Sequence, residues 1–505
     1  MRALKAAKDV VINLQSAKQR RACGFRGCLQ VDRRLRQKMN DEESFIENLP
    51  FGFRMKAEAS GYSQVFQAGG NQVINENKPS FYLGQFPLSP PALDVRWLGI
   101  QPSRMLRAQL EVVPFSGRKA DLSHLKKWRD STLTNTAVHL IYGPGGQGKT
   151  RLAMHLARAW VDEGWIAFSA ISSDNLEDLN AVELLREEGA AGRLIIVDYA
   201  DRWEPADLLA LLRKVADSTG LPVRVIMLAR PSGKWWVTLS RQIEERLCIA
   251  VDQMYLLPLA ESPEDRSLLF EEARDEFRAR LGVQNTSYIR PPLDLETNKN
   301  YSQILTIHMA ALAAVVAFIE HDNLPRNPAE LSAFLLARER DYWLSMSSLR
   351  SDPIRTAPDA MRQIVYAATL TGPLSYPDAL SALKRAQIES QEHPGQLIKD
   401  HARCYPPYNS DNALEPLYPD RLGEDFIALT IPGHNNDHIY PPDPWALGAL
   451  VRLLSPLPIS HGLHGPPPWV LSARSLLNEI GARWPHVASL TLGGRLKTGK
   501  HHRRL

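Results

Sequence analysis

The sequence predicts an α/β fold in which helices cover both faces of a mostly parallel sheet. Three observations carry that expectation. Between about residues 105 and 258, apolar runs of strand length alternate with amphipathic helical segments, the pattern of βαβ units. Within this stretch, Gly143-Pro144-Gly145-Gly146-Gln147-Gly148-Lys149-Thr150 follows the apolar run Ala137–Tyr142 and opens the amphipathic segment Arg151–Trp160. That places a G-x-x-x-x-G-K-[ST] loop between a strand and a helix, where a phosphate loop belongs. Further on, the near-continuous apolar run Arg193–Val197 ends in Asp198, a carboxylate at a strand's carboxyl edge.

Taken in order, the chain begins with a basic arm of about forty residues in which Asp9 and Asp32 are the only acids. They have no apolar core of signal-peptide type. This arm reads as a solvated leader or as a contact to nucleic acid or acidic lipid. Residues 57–80 predict a short strand pair with Gly-Gly and Asn-rich turns, and Pro87–Pro91 a linker. Asp121–Trp128 predicts a helix leading toward the loop. After the loop helix the expected elements are a strand at Trp165–Ile171, a helix at Leu176–Glu188, the strand ending at Val197 and a helix at Pro205–Ala216. Then come a strand at Val223–Ala229, a helix at Trp235–Leu247 and a last strand at Ile249–Leu257. Long helices are predicted at Pro263–Leu281, Ile304–Phe318 and Pro328–Trp343, with shorter ones at Met361–Thr369 and Leu471–Trp484. Asp420 is expected to cap the helix that follows it. Residues 431–470 are proline-rich, and Arg495–Leu505 is a basic tail.

Composition narrows the class. At 505 residues the chain exceeds a single core and suggests about three or four domains. Hydrophobic content of 44% and charged content of 23% fit a soluble globular protein. Sixty basic against 56 acidic residues leave a net charge of +4, too balanced to argue for nucleic acid alone. Four scattered cysteines give no disulfide framework, so a reducing cytoplasm is expected. Cys23 and Cys28 read as free thiols or as half of a zinc site. No run approaches the roughly 18 uninterrupted apolar residues of a membrane span.

The loop's residue types have physical reasons. Glycines at 145, 146 and 148 let successive backbone N–H groups turn inward as an anion nest, and the next helix adds its unpaired donors. Lys149 is placed to reach terminal phosphates, with Arg151 just inside the helix. The Thr150 hydroxyl and Asp198 are the expected ligands of Mg²⁺. Asp198 is expected at the end of a strand adjacent to the phosphate-loop strand. It is followed by Tyr199, where ATPases of this type often carry a second acid that polarises water. Asp201 either takes that role or caps the helix at Pro205. Arg230, after the strand Val223–Ala229, reads as a sensor of the terminal phosphate or as a surface arginine. Asn298-Lys299-Asn300-Tyr301 departs from a guanine-recognition motif and follows no strand, which favours ATP or dATP; the expected cofactors are ATP or ADP with Mg²⁺.

Together these residues resemble the STAND class of P-loop ATPases, signal-transduction switches related to NB-ARC proteins, and bacterial members in particular. The matching stretches are Val113-Pro-Phe-Ser-Gly117-Arg118, GPGGQGKTRLA, LIIVDYAD, VIMLAR with Gly233-Lys-Trp-Trp236, His308-Met-Ala-Ala-Leu312 and Pro419-Asp-Arg-Leu-Gly-Glu424. The resemblance implies that Gly117 and Arg118 border the adenine and that Arg230 is the sensor arginine. It also implies a helical lid and a winged-helix-like α+β domain after the core. A lid Gly-x-Pro signature has no counterpart near Ile304–His308, and proline stands where the class has the histidine of a His-Asp pair before Asp420.

The expected domains are a basic N-terminal region with linker (1–100), a P-loop NTPase domain (101–258), a helical lid (259–345), a winged-helix-like domain (346–430) and a proline-rich helical region with a basic tail (431–505). The expected function is a cytoplasmic, ATP- and ADP-binding switch with slow hydrolysis. Its expected partners are further copies of itself in a nucleotide-dependent oligomer and an unidentified protein trigger or effector. The alternative is a nucleotide-dependent scaffold or DNA-binding regulator with negligible turnover. A motor or small-molecule kinase has no substrate motif to support it.

Overall fold

The computed structural model describes three strands before residue 77 and residues 81–492, apart from 93–97, 132–133, 173–188, 217–219, 231–232, 285–288, 408–410 and 459–463. The basic arm, Cys23 and Cys28, the helix expected at Leu176–Glu188 and the basic tail lie outside the described residues. The chain divides into two compact units, Met1–Lys78 and Pro79–Leu505. In the first, β1 (Met55–Ala57), β2 (Ser63–Ala68) and β3 (Asn71–Glu76) form an antiparallel sheet in that order. The β2–β3 pair is the hairpin expected from the turn residues, and β1 extends it.

The second unit holds a six-stranded sheet. Its strands are β4 (Phe81–Gln85), β5 (Thr136–Tyr142), β6 (Trp165–Ser172), β7 (Gly192–Val197), β8 (Val223–Ala229) and β9 (Ala250–Tyr255), in the spatial order β4-β6-β7-β8-β5-β9. All pairings are parallel except β4 with β6. The helices of this region are α1 (Lys119–Ser131), α2 (Lys149–Asp162), α3 (Pro205–Ala216) and α4 (Gly233–Leu247). Strand residues alternate between two helix layers, as the pleat requires. Val138 and Leu140 of β5 pack toward α3 and α4, with Leu208, Leu212, Trp236 and Leu239. Ala137 and Ile141 pack toward α1 and α2, with Leu125, Leu152, Leu156 and Trp160. Burial on both faces is why β5, β7 and β8 read as continuous apolar runs.

Two features of the sheet depart from the sequence expectation. The strand ending at Asp198 is not adjacent to the phosphate-loop strand, because β8 lies between β7 and β5. Apolar runs of equal length carry no information on lateral order. The sheet also recruits β4 from upstream of the expected βαβ region, where Phe81 and Leu83 are buried.

Beyond the sheet the chain is mainly helical: α5 (Pro263–Arg280), α6 (Ile304–Glu320), α7 (Pro328–Ser347), α8 (Pro358–Thr371), α9 (Tyr376–Ala386), α10 (Pro394–Cys404), α11 (Asp420–Thr430), α12 (Trp445–Leu454), α13 (Val470–Arg483) and α14 (Pro485–Leu492). They share one continuous apolar core, to which α6 contributes ten buried residues, Ile307 and Met309 to Ala317. Leu374 and Ser375 pair antiparallel with Asn412–Leu414 among α8 to α11. Helix α12 occupies the proline-rich stretch; the prolines there fall before Trp445 or after Leu454, so none interrupts the helix. No helix among the described residues is long and apolar enough to cross a membrane.

The cap of α11 also corrects the sequence reading. Pro419 is the N-cap, Asp420 is already helical and its side chain makes no cap hydrogen bond. A stronger partner, described below, takes that carboxylate.

Candidate functional site

The loop between β5 and α2 carries Gly146 and Gly148 at φ 84° and 89°, backbone that side chains rarely adopt. A Cβ on Gly146 would also meet Leu305 Cβ at 3.1 Å. The Leu305 N–H donates to the Gly146 carbonyl at 3.1 Å, so the start of α6 sits directly on the loop. Lys149 Nζ donates to the carbonyls of Gly143 and Pro144 at 2.7 and 3.0 Å. Burial, and then Arg230, push its ammonium below its ordinary value.

Although β8 separates their strands, Thr150 and Asp198 meet. Thr150 Oγ1 donates to Asp198 Oδ2 at 3.0 Å, and the Tyr199 N–H donates to Oδ1 at 2.9 Å. Burial pushes the Asp198 carboxyl up to about 6 despite these bonds.

A cavity of about 220 Å³ opens here, lined by residues 145–151, Asp198 and Arg230. Its apolar end is formed by Val112, Val113, Phe115, Leu259, Leu305 and the half-buried His308. Phe115 stacks on His155 at 4.3 Å between ring centroids, and burial holds His308 down near 3, so it is a neutral imidazole. Arg118 lines the cavity but is committed to the protein. It donates to the carbonyls of Leu257 and Gln147 at 2.6 and 2.9 Å and pairs with Asp121 at 3.2 Å. Arg151 donates to the Val113 carbonyl at 2.8 Å and so holds the cavity wall. Gly117, Gly143, Pro144 and Asp201 do not line the cavity. Asp201 accepts the Arg230 backbone N–H at 3.4 Å and lies in a single 3-10 turn, Ala200–Arg202.

Arg230 is buried, not a surface residue. Nη2 donates to Asp420 Oδ2 at 2.8 Å and pairs with Glu424 Oε1 at 2.8 Å, while Nη1 pairs closely with Glu479. Asp420 and Glu424 are one turn apart on α11, and Glu479 comes from α13. The Tyr199 hydroxyl donates to the same Asp420 oxygen at 2.9 Å. Burial works against the Arg230 charge, but Glu424, Asp420 and Glu479 outweigh it and hold the guanidinium well above its ordinary value. A Cβ on Gly145 would lie 3.3 Å from Glu424 Oε1, so this cluster reaches the phosphate loop itself. Glu424 also pairs with Arg483 at 2.7 Å, and Arg483 with Asp425 at 2.8 Å. Sequence reasoning picked Arg230 and missed its partners. The four-residue spacing of Asp420 and Glu424 was legible as one helical face, but nothing marked Glu479.

No protein-family model matches the chain, and no curated protein matches it either. Among solved structures it is similar to the Aeropyrum pernix ORC2 protein in ADPNP and ADP complexes, at 15% identity over 75% of this chain and 96% of that one, with a TM-score of 0.29. It is also similar to NtrX from Brucella abortus in complex with ATP, at 16% identity over 50% and 66% of the two chains, with a TM-score of 0.31. Likenesses this distant define neither family nor activity. The fold class rests on the chain's own geometry: a parallel sheet between helix layers, with the glycine loop joining β5 to α2.

Proposed function

We propose that this chain is an ATP- and ADP-binding regulatory switch of the STAND type, in which the terminal phosphate competes with carboxylates of the C-terminal helices for Arg230. The observation that carries this reading is the joining of Arg230 to Asp420, Glu424 and Glu479 at the phosphate loop. A guanidinium suits carboxylate and phosphate equally.

The residues present fit the ligand. The glycine loop leaves room that a Cβ would fill at Gly145 and Gly146, and Arg230 Nε is buried without a hydrogen-bond partner. Residues 145–151 would hold the phosphates, the Val112–Phe115 wall with His308 would take the adenine beside Arg118, and Thr150 and Asp198 would hold Mg²⁺. Bound nucleotide supplies a phosphate whose presence or loss distinguishes two states. Residues 259–345 serve as lid and 346–430 as the winged-helix-like domain. Release of Asp420 and Glu479 from Arg230 frees α11 and α13 for self-association or for a protein effector. To reverse a 1:99 population, the favoured nucleotide must prefer one state by about 5.5 kcal/mol.

Turnover in this reading is slow. Tyr199 follows Asp198 and donates to Asp420, and Asp201 faces the Arg230 backbone. The same observation favours a second reading, a nucleotide-dependent scaffold or DNA-binding regulator with negligible hydrolysis. The test is the nucleotide content and mass of purified protein with and without ATP·Mg²⁺, beside Lys149→Ala. Retained ADP and assembly with ATP, both absent in the variant, support the switch. ATP binding with no retained ADP and no change of mass would overturn it.

A further inference from the structure

On the sheet face that packs against α1, three side chains converge outside the cavity. His139 of β5 and Asp252 of β9 are register partners on neighbouring parallel strands, so their side chains stand on one face. His124 of α1 lies over them, with its ring centroid 5.7 Å from that of His139. One ligand atom from each of the three lies within 4.8 Å of those of the others.

The buried member makes the cluster unusual. His139 is fully buried, and neither of its ring nitrogens has a hydrogen-bond partner. Its Nδ1 lies 3.7 Å from Asp252 Oδ2, beyond hydrogen-bond reach. Asp252 Oδ1 is occupied by the Gln253 N–H at 2.7 Å, leaving Oδ2 turned to the histidine. Trp128 closes the other side, its ring centroid 4.9 Å from that of His139 with the planes at 66°. Leaving a buried imidazole without a partner is costly, and a bound ion is one of the few ways to satisfy it.

We propose that His124, His139 and Asp252 form a site for a borderline divalent transition metal such as Zn²⁺. Two imidazoles and one carboxylate are a donor set for zinc, cobalt or nickel rather than for the oxygen-seeking calcium or magnesium. A tetrahedral ion with bonds of about 2.0–2.2 Å needs its ligand atoms roughly 3.4 Å apart. Rotation of the two exposed residues, His124 and Asp252, closes that gap while His139 stays fixed in the sheet. Those exposed residues also supply an entry path, and water takes the fourth position. The ion would clip α1 to β5 and to the edge strand β9. This site is independent of the nucleotide reading.

The test uses full-length, chelator-treated protein with Cys23→Ser and Cys28→Ser as the common background, to remove the one closely spaced pair of thiols. Zn²⁺ binding is measured by equilibrium dialysis, and Co²⁺ by its visible absorption. Against that background, His124→Ala and Asp252→Asn change exposed side chains and leave the core intact. The proposal expects each to lose one equivalent of Zn²⁺, with affinity at this site down at least about tenfold, and to lose the four-coordinate Co²⁺ band. Circular dichroism confirms that each variant is folded. If either folded variant keeps the parent's zinc stoichiometry and cobalt spectrum, the proposal is wrong and His139 is simply a buried neighbour of Asp252.

Discussion

Arg230, at the carboxyl end of the central strand β8, donates to Asp420 at the first turn of α11, a residue 190 positions later in the chain. Through this contact the C-terminal helices reach the phosphate loop. It explains why Asp420 does not cap its own helix: a buried guanidinium is a stronger partner than a backbone N–H.

Removing the cation should therefore be costly. Arg230→Ala leaves Asp420, Glu424 and Glu479 facing one another without their shared counter-charge. Breaking a buried pair in this way costs about 3–5 kcal/mol. The expected outcome is a fall in the thermal midpoint of roughly 3–6 °C, read by calorimetry. A midpoint within a degree of wild type would mean that the cluster is energetically idle.

Acid and base should act on the same cluster with a definite sign. Burial pushes the Glu479 carboxyl up to about 7 from an ordinary 4.5, with Arg230 opposing and Glu424 and Asp201 adding to the shift. The folded chain thus holds this proton more tightly than the unfolded chain. Its contribution to stability is full below about pH 4.5 and is lost as pH rises toward 7, by roughly 3 kcal/mol. Melting curves of wild type and Glu479→Gln should diverge across that window, wild type losing stability relative to the variant as pH rises. Parallel curves would contradict this.

Much of the core was legible because it is written locally. The glycine loop, the aspartate after Leu194–Val197 and the helix at Pro205–Ala216 each follow from residue types within a few positions of one another. What was not legible is lateral and long-range. Nothing in apolar runs of equal length says that β8 inserts between β5 and β7, or that β4 joins from upstream. The Arg230 cluster depends on α11 and α13 packing against the loop. His124, His139 and Asp252 lie on three elements joined only by register and packing.

The Thr150–Asp198 contact makes a separate prediction about the metal. Asp198→Asn keeps a hydrogen-bonding oxygen for Thr150 but removes the charge that would hold Mg²⁺. The ratio of ATP affinity with Mg²⁺ to that without it should fall about tenfold or more, because one charged partner is worth about 1.5–3 kcal/mol. Titration with a fluorescent ATP analogue in the presence of Mg²⁺ or chelator measures that ratio, and an unchanged ratio would remove Asp198 from the metal.

The measurement that tests competition for Arg230 most directly compares ATP with ADP in wild type and in the double variant Asp420→Asn, Glu479→Gln. Above about pH 8, where both carboxyls are charged, the substitutions remove two negative charges from Arg230 and leave Glu424 in place. If the terminal phosphate competes with these carboxylates, ATP affinity rises about tenfold in the double variant, worth about 1.4 kcal/mol, while ADP affinity stays near its wild-type value. If ATP and ADP shift together, or neither shifts, Arg230 is a structural ion-pair centre and the switch does not run through it.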